Sequence, residues 1–422
     1  MSRRRVVDPR FGPRMRELRE DRGFSLRSLE RPTLSSKSKL HKIETGATTP
    51  NVETAKLIDD ALRAGGELAA MVRQESTTVL PRREFLGVAT TAVAVPMIAD
   101  LAGGSRVGAE MVEHLLLNTA RLRRLDDFLG GADTYSMFAA EVHATARLLQ
   151  SCTYQESVGR RLLAVLAEQA QLAGWAAFDA GWQAEAHHMF AMSLQAARDA
   201  GDPPLVGNAM AFVGYQGLML GRSAVTELTN ATETAKGHAS RTVRAMLHCR
   251  RAWAHANEGL AGETQRHLDI AQAALRESSD RPEPDWVYWV DELEHEIMTG
   301  RCWAALRRPM RAIAALEKVL RDYEDTHGRD KALYLSFLAD AYLDANELEQ
   351  ACAVASRAID LSAGVGSIRP RMRIESVMRR VNGSAQCVRE LRAKVQQWLS
   401  LRQLSPAPSP DTPAIPQQAT RR

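Results

Sequence analysis

The chain has 422 residues, 45% of them hydrophobic and 5% aromatic, which is enough for two or three domains with sizeable cores in a soluble, mainly helical protein; no strand pattern stands out. The net charge of +4 is uneven: residues 1–73 hold 16 Lys and Arg against 10 Asp and Glu, net +6, and the remainder is net −2, so any polyanion partner is sought at the N-terminus. Five cysteines, far apart and without a C-x-x-C pair, exclude a disulfide framework and a cysteine zinc site and suit a reducing compartment, where they serve as small buried apolar residues.

Residues 1–10 form a loose basic arm in which Arg3, Arg4 and Arg5 either add salt-sensitive affinity for DNA or are simply solvated. Phe11, Met15 and Leu18 then give one face of an amphipathic helix, ended by Gly23. In Ser25–Gly46, Leu26 and Leu29 face a core while Arg27 and Arg31 face solvent, and Pro32 predicts a boundary near Arg31. Ser35 or Ser36 offers a hydroxyl to cap the next helix, in which Leu40 and Ile43 repeat on one side. Its other side carries Lys37, Ser38, Lys39, His41 and Lys42. Lysine at a helix start works against the helix dipole, so this placement points to an anionic partner, phosphate or a base edge. Thr49–Pro50 opens a further helix with Val52, Ala55, Ile58 and Leu62 inward, closed by Gly65–Gly66, and Glu67 to Val72 add a last turn or two.

On Leu29, Ser36, Leu40, Ile43–Glu44, Gly46 and the Pro50 helix, the segment 11–73 resembles the lambda-repressor-like, or xenobiotic-response-element, helix-turn-helix domain of transcription regulators. The resemblance implies a small five-helix fold, base contacts from Lys37, Ser38, Lys39 and His41, and phosphate contacts from Arg27, Lys42 and Thr45, with Ser36 heading the DNA-binding set. The chain departs from the family at Glu30, where a small Ala is usual, and at Leu34–Ser35, where a turn Gly is usual. A solvated helix face with no DNA role is the bland alternative.

Residues 74–106 form a linker. Pro81-Arg82-Arg83-Glu84-Phe85-Leu86 looks like a twin-arginine export signal, but it follows a complete domain, so a connecting helix that packs Phe85, Leu86, Val88, Val93, Val95 and Ile98 is the preferred reading. From 107 to 402 helix follows helix. The clearest unit, Leu338–Leu361, has Ala339 at a close helix crossing and Ala351, Ala355 and Ala358 on a small face, and it resembles a tetratricopeptide repeat. The same frame falls on Ala173–Gly174 with Gly181, Val213–Gly214 with Gly221, Ala254–His255 with Gly262, and Thr299–Gly300 with Trp303. An α-solenoid of degenerate tetratricopeptide-like hairpins, roughly five to seven pairs, is expected. The resemblance implies a concave surface for a peptide or protein. Trp175, Trp182, Tyr215, Trp253, Trp286, Tyr288 and Trp289 belong either to that groove or to the core, and the Pro282–Asp285 loop is a candidate groove mouth. Residues 403–422, with five prolines, form a disordered tail.

No catalytic centre is expected. His187–His188 are about 100° apart on a helix, His295–Glu296 lacks the second His of a zincin, and no phosphate loop, nucleophile elbow or dinucleotide fingerprint is present. No cofactor and no metal is predicted. Taken together, the chain is expected to be an all-α, cytoplasmic, non-enzymatic regulator of transcription: a homodimer reading an inverted-repeat operator in double-stranded DNA, with the solenoid pairing subunits and sensing a peptide or protein. The alternative is an interaction adaptor whose helix-turn-helix has lost DNA binding. The arginine excess, with only 8 Lys among 55 basic residues, is read as a compositional bias of a GC-rich genome.

Overall fold

The computed structural model describes residues 6–7, 11–33, 35–46, 48, 50, 52–62, 64–73, 106–278 and 281–400. The chain divides into two compact units, residues 1–92 and 93–422. The basic arm at Arg3–Arg5, the Leu34 turn position, the arginine-pair segment with its connecting helix and the proline-rich tail lie outside the described residues.

In the first unit, helices α1 (Phe11–Asp21), α2 (Glu30–Thr33), α3 (Lys37–Glu44), α4 (Val52–Leu62) and α5 (Glu67–Ala70) surround one core. Phe11, Met15, Leu18, Leu29, Leu40, Ile43, Ala55, Ile58, Leu62, Leu68 and Val72 are all buried in it, so the apolar spacing in the sequence marks the inward faces correctly; the side chain of Val52 is outside the described residues. Two expectations are corrected. Strands are present: β1 (Val6–Val7) pairs antiparallel with β2 (Val72–Arg73), in a register of Val6 with Arg73 and Val7 with Val72. Two-residue strands are too short to leave a period-2 pattern, and residues 6–7 are thereby part of the fold and not of a loose arm. The boundary at Arg31 is also displaced, because α2 runs through Pro32 to Thr33 and the preceding residues 26–29 form turns. Pro32 lies in the first turn of this helix, where the missing N–H has no acceptor to lose.

The second unit contains fourteen α-helices among its described residues. After α6 (Ala109–Asp126) and α7 (Gly131–Ser151) come five packed hairpins: α8 (Glu156–Ala180) with α9 (Gln183–Ala200), α10 (Pro203–Met219) with α11 (Val225–Ala235), α12 (Arg241–Asn257) with α13 (Ala261–Arg276), α14 (Glu292–Ala305) with α15 (Pro309–Leu320), and α16 (Gly328–Asp344) with α17 (Leu348–Ser362). A final pair, α18 (Arg369–Arg380) and α19 (Gln386–Ser400), packs on the last hairpin. These consecutive pairs form a helical repeat array.

Each of the five hairpins turns on one residue with left-handed φ: Gly181, Gly221, Gly259, Arg307 and Asn346. Seven residues earlier the first helix carries Gly174, Gly214, Ala252, Gly300 and Ala339, the small residues at the crossing. A Cβ on Gly174 would lie 2.6 Å from the Phe190 ring and one on Gly300 2.5 Å from Leu316 Cγ, which is why these positions stay small. The third unit is thus three residues out of the register expected from sequence: Gly262 lies inside α13, and Ala252, not His255, is the crossing residue. In the fourth and fifth units a non-glycine, Arg307 and Asn346 respectively, takes the left-handed turn position.

The array also closes on itself. Asp179, at the end of α8, has no exposed surface and accepts from Arg369 Nε at 2.5 Å, Ser367 Oγ at 2.7 Å and the Gly131 N–H at 2.9 Å. Its carbonyl accepts from the Ile368 N–H at 2.7 Å. Arg329 of α16 donates to Asp126 at 3.1 Å and to the Leu129 carbonyl at 3.0 Å. The segment 363–368 is therefore seated on α7 and α8, some 190 residues earlier in the chain. Of the aromatic residues assigned either to a groove or to the core, Tyr215, Trp253 and Trp286 are buried in the core, and the protein's own cations cover two of the rings: Arg369 lies over Trp175 at 4.4 Å and Arg301 over Trp253 at 4.4 Å. The Pro282–Asp285 loop is pinned as well. Glu283 accepts from Ser240 and Asp285 from Arg123 and Arg124, so it ties elements together instead of opening a mouth.

Asp179→Ala leaves the buried Arg369 with only its longer contact to Asp330, at 3.4 Å; a loss of about 3 kcal/mol is expected in urea denaturation of the full chain. A second outcome concerns pH. Burial holds the Glu294 carboxyl up at about 7 against the opposing pull of Arg250 and Arg301. The folded state therefore keeps a proton that the unfolded chain releases near its ordinary value of 4.5, and stability falls as pH rises between the two. Glu294→Gln removes this titration, so the variant should gain on the parent between pH 5 and pH 7.5, by up to about 3 kcal/mol, in denaturation curves at each pH.

Candidate nucleic-acid interface

Helix α3 is built as an exposed rod clamped by its ends. At the start, Ser36 is in an extended conformation and its Oγ accepts from the Lys39 N–H at 3.3 Å, so Ser36 is the cap of the two serines considered. A second acceptor is Glu30 Oε1 of α2, which takes the Lys37 N–H at 2.5 Å. At the other end, Thr45 donates from its backbone N–H and its Oγ to the His41 carbonyl, at 3.0 and 2.9 Å, and Gly46 follows with φ +73°. Leu40 and Ile43 are buried.

The helix is fixed to α1 at one close approach. A Cβ on Gly12 would fall 2.6 Å from the Glu44 carbonyl oxygen, so α1 passes directly under the last turn of α3. There Arg19 grips Glu44 with two bonds, Nε to Oε1 at 2.6 Å and Nη2 to Oε2 at 3.3 Å, in a pair whose side chains are mostly covered. The hydrogen bond to Glu44 raises Arg19 further above its ordinary range. Asp59 of α4 accepts from the Gly66 and Leu68 N–H groups, both at 2.7 Å, which fixes α5 to the same core.

All eight residues of the expected DNA-binding set, Arg27, Ser36, Lys37, Ser38, Lys39, His41, Lys42 and Thr45, are exposed. Arg27 is in the turn before α2, and the other seven are on α3 or its caps. At about 100° per residue, Ser38, Lys42 and Thr45 occupy the middle of the solvent face opposite Leu40 and Ile43, with His41 beside them. Lys37 and Lys39 flank this strip from opposite sides. Two of the set also hold the helix together, Ser36 as N-cap and Thr45 as C-cap. The face offers cationic and hydroxyl groups at the width of one helix, the arrangement that enters a major groove.

Sequence reasoning missed the structural groups behind this face. Glu30, a departure from the family pattern in sequence, caps α3 with its carboxylate; the signal is its place seven residues before Lys37, across a turn. The Arg19–Glu44 pair spans 25 positions and had no local signature.

Residues 10–71 match the family described as a helix-turn-helix domain. No curated protein matches the chain. The match covers the whole of α1 to α5, and this domain type points to DNA as partner. Glu30→Ala removes one cap and its charge from the start of α3; a loss of about 1 kcal/mol in the stability of the N-terminal unit is expected in chemical denaturation.

Proposed function

We propose that the chain is a sequence-specific DNA-binding regulator of transcription, of the xenobiotic-response-element type, acting in the cytoplasm and without a catalytic step of its own. The observation that carries this is the exposed strip of Ser38, His41, Lys42 and Thr45 flanked by Lys37 and Lys39, on a helix fixed at both ends within a matched helix-turn-helix domain. No helix among the described residues is long and apolar enough to cross a membrane. One such helix makes few base contacts, each worth about 1 to 3 kcal/mol, so a homodimer reading an inverted repeat with half-sites about one or two helical turns apart supplies the required discrimination. The tetratricopeptide-like hairpin array serves pairing and the sensing of a peptide, protein or small molecule.

The second reading, an adaptor that no longer binds DNA, draws on Glu30. Its carboxylate occupies the N-terminus of α3, the place where a helix would otherwise favour a phosphate. Selection of bound duplexes from a random library, followed by mobility-shift titration over a salt series, separates the two. The regulator requires recovery of a specific sequence and an affinity that falls steeply with salt. In the double variant Lys37→Ala, Lys39→Ala, discrimination between operator and random duplex should fall at least about tenfold while the helical content is unchanged. Equal discrimination by variant and parent removes this face from the interface, and failure to select any sequence favours the adaptor.

A further inference from the structure

The hairpin α12–α13 carries a cluster that neither the fold nor the DNA reading uses. His255, on the last turn of α12, is 5% exposed, and both of its ring nitrogens are buried without a hydrogen-bond partner. His267 of α13 is 3% exposed, and its Nε2 is likewise buried and unpartnered. The two rings are stacked, with centroids 5.3 Å apart and planes 4° from parallel. Glu263 precedes His267 by one helical turn, with Oε2 3.9 Å from His267 Nε2. Donor atoms of His255, Glu263 and His267 all lie within 4.8 Å of one another.

Buried imidazole nitrogens without partners are costly, and two such rings, each with a nitrogen near one carboxylate, are not a packing solution of the repeat. In the same register the other four hairpins carry Ala177, Gly217, Trp303 and Tyr342 where this one carries His255. We propose that His255, Glu263 and His267 bind a divalent transition-metal ion of the zinc class. Two imidazoles and a carboxylate are a ligand set suited to such an ion. Ligands about 2.1 Å from zinc are about 3.4 Å apart in a tetrahedron, a contraction that rotamer adjustment supplies.

The surroundings fit this role. His248 Nδ1 is 2.9 Å from His267 Nδ1, so His248 is the positioning residue that orients the ring and leaves Nε2 for the metal. Arg251 is the main opposing charge, and its Nη1 donates to Thr232 on α11 at 2.9 Å. Glu263 Oε2 is otherwise held by the exposed Arg266 at 3.5 Å, a contact a metal displaces. The Glu263 side chain remains 46% exposed, which opens the fourth coordination position to solvent.

The test is titration of the purified full-length chain with zinc alone, in competition with a chromophoric chelator. About one zinc per chain is expected, with affinity lowered at least about 100-fold by His267→Ala and about 10- to 100-fold by His248→Phe. Glu263→Ala, at an exposed position that leaves the fold intact, should weaken binding and change the visible spectrum of the cobalt-substituted protein. A parent that binds no zinc, or Glu263→Ala and His267→Ala variants that bind as the parent does, overturns the proposal.

Discussion

The second unit depends on one buried carboxylate. Asp179 collects Arg369, Ser367 and two backbone N–H groups from segments nearly 50 and 190 residues away, and Arg329 stands behind it, bonded to Asp126. A charge removed from water in this way is tolerable only when it is paired and hydrogen-bonded, and here its partners come from both ends of the array. Without this closure the hairpins would still pair with their neighbours, because the Gly174–Phe190 and Gly300–Leu316 crossings are local. What the carboxylate adds is the position of the last helices on the first.

The first unit uses the same logic on a smaller scale. Arg19 and Glu44 meet beneath the last turn of α3 at the point where Gly12 allows two helices to touch, and Glu30 and Ser36 meet the first turn. The result is a helix whose buried edge and both ends are committed and whose remaining arc carries lysines, serine and histidine without using them for packing. The residues that fix the helix in place, Arg19, Glu30 and Glu44, are distinct from the exposed residues of its outer arc, apart from Ser36 and Thr45, which are exposed and also cap the helix.

The sequence made local order legible. Leucine and small-residue spacings identified α1, α3, α4 and the crossing positions at Gly174, Gly214, Gly300 and Ala339, since each depends on residues three to sixteen apart. Errors arose where a local pattern had two solutions. Gly262 imitated the turn glycine that is really Gly259, and Pro32 imitated a helix end while lying in a first turn. Long-range groups were out of reach. Arg301, Arg329 and Arg369 were indistinguishable from a compositional excess of arginine, yet each is buried against an aromatic ring or a carboxylate. The imidazole cluster was hidden for a similar reason, because its members belong to two helices and face each other only after the Gly259 turn is made.

An open array of hairpins can be lengthened or shortened by whole units, each new copy simply adding to the end of the row. That freedom is absent here. Inserting or deleting one hairpin between Asp179 and Ser367 would carry the two past each other by the width of a helix pair, leaving a buried carboxylate on one side and stranded arginines on the other. The number of repeats is fixed by the closure, as the number of staves is fixed in a barrel.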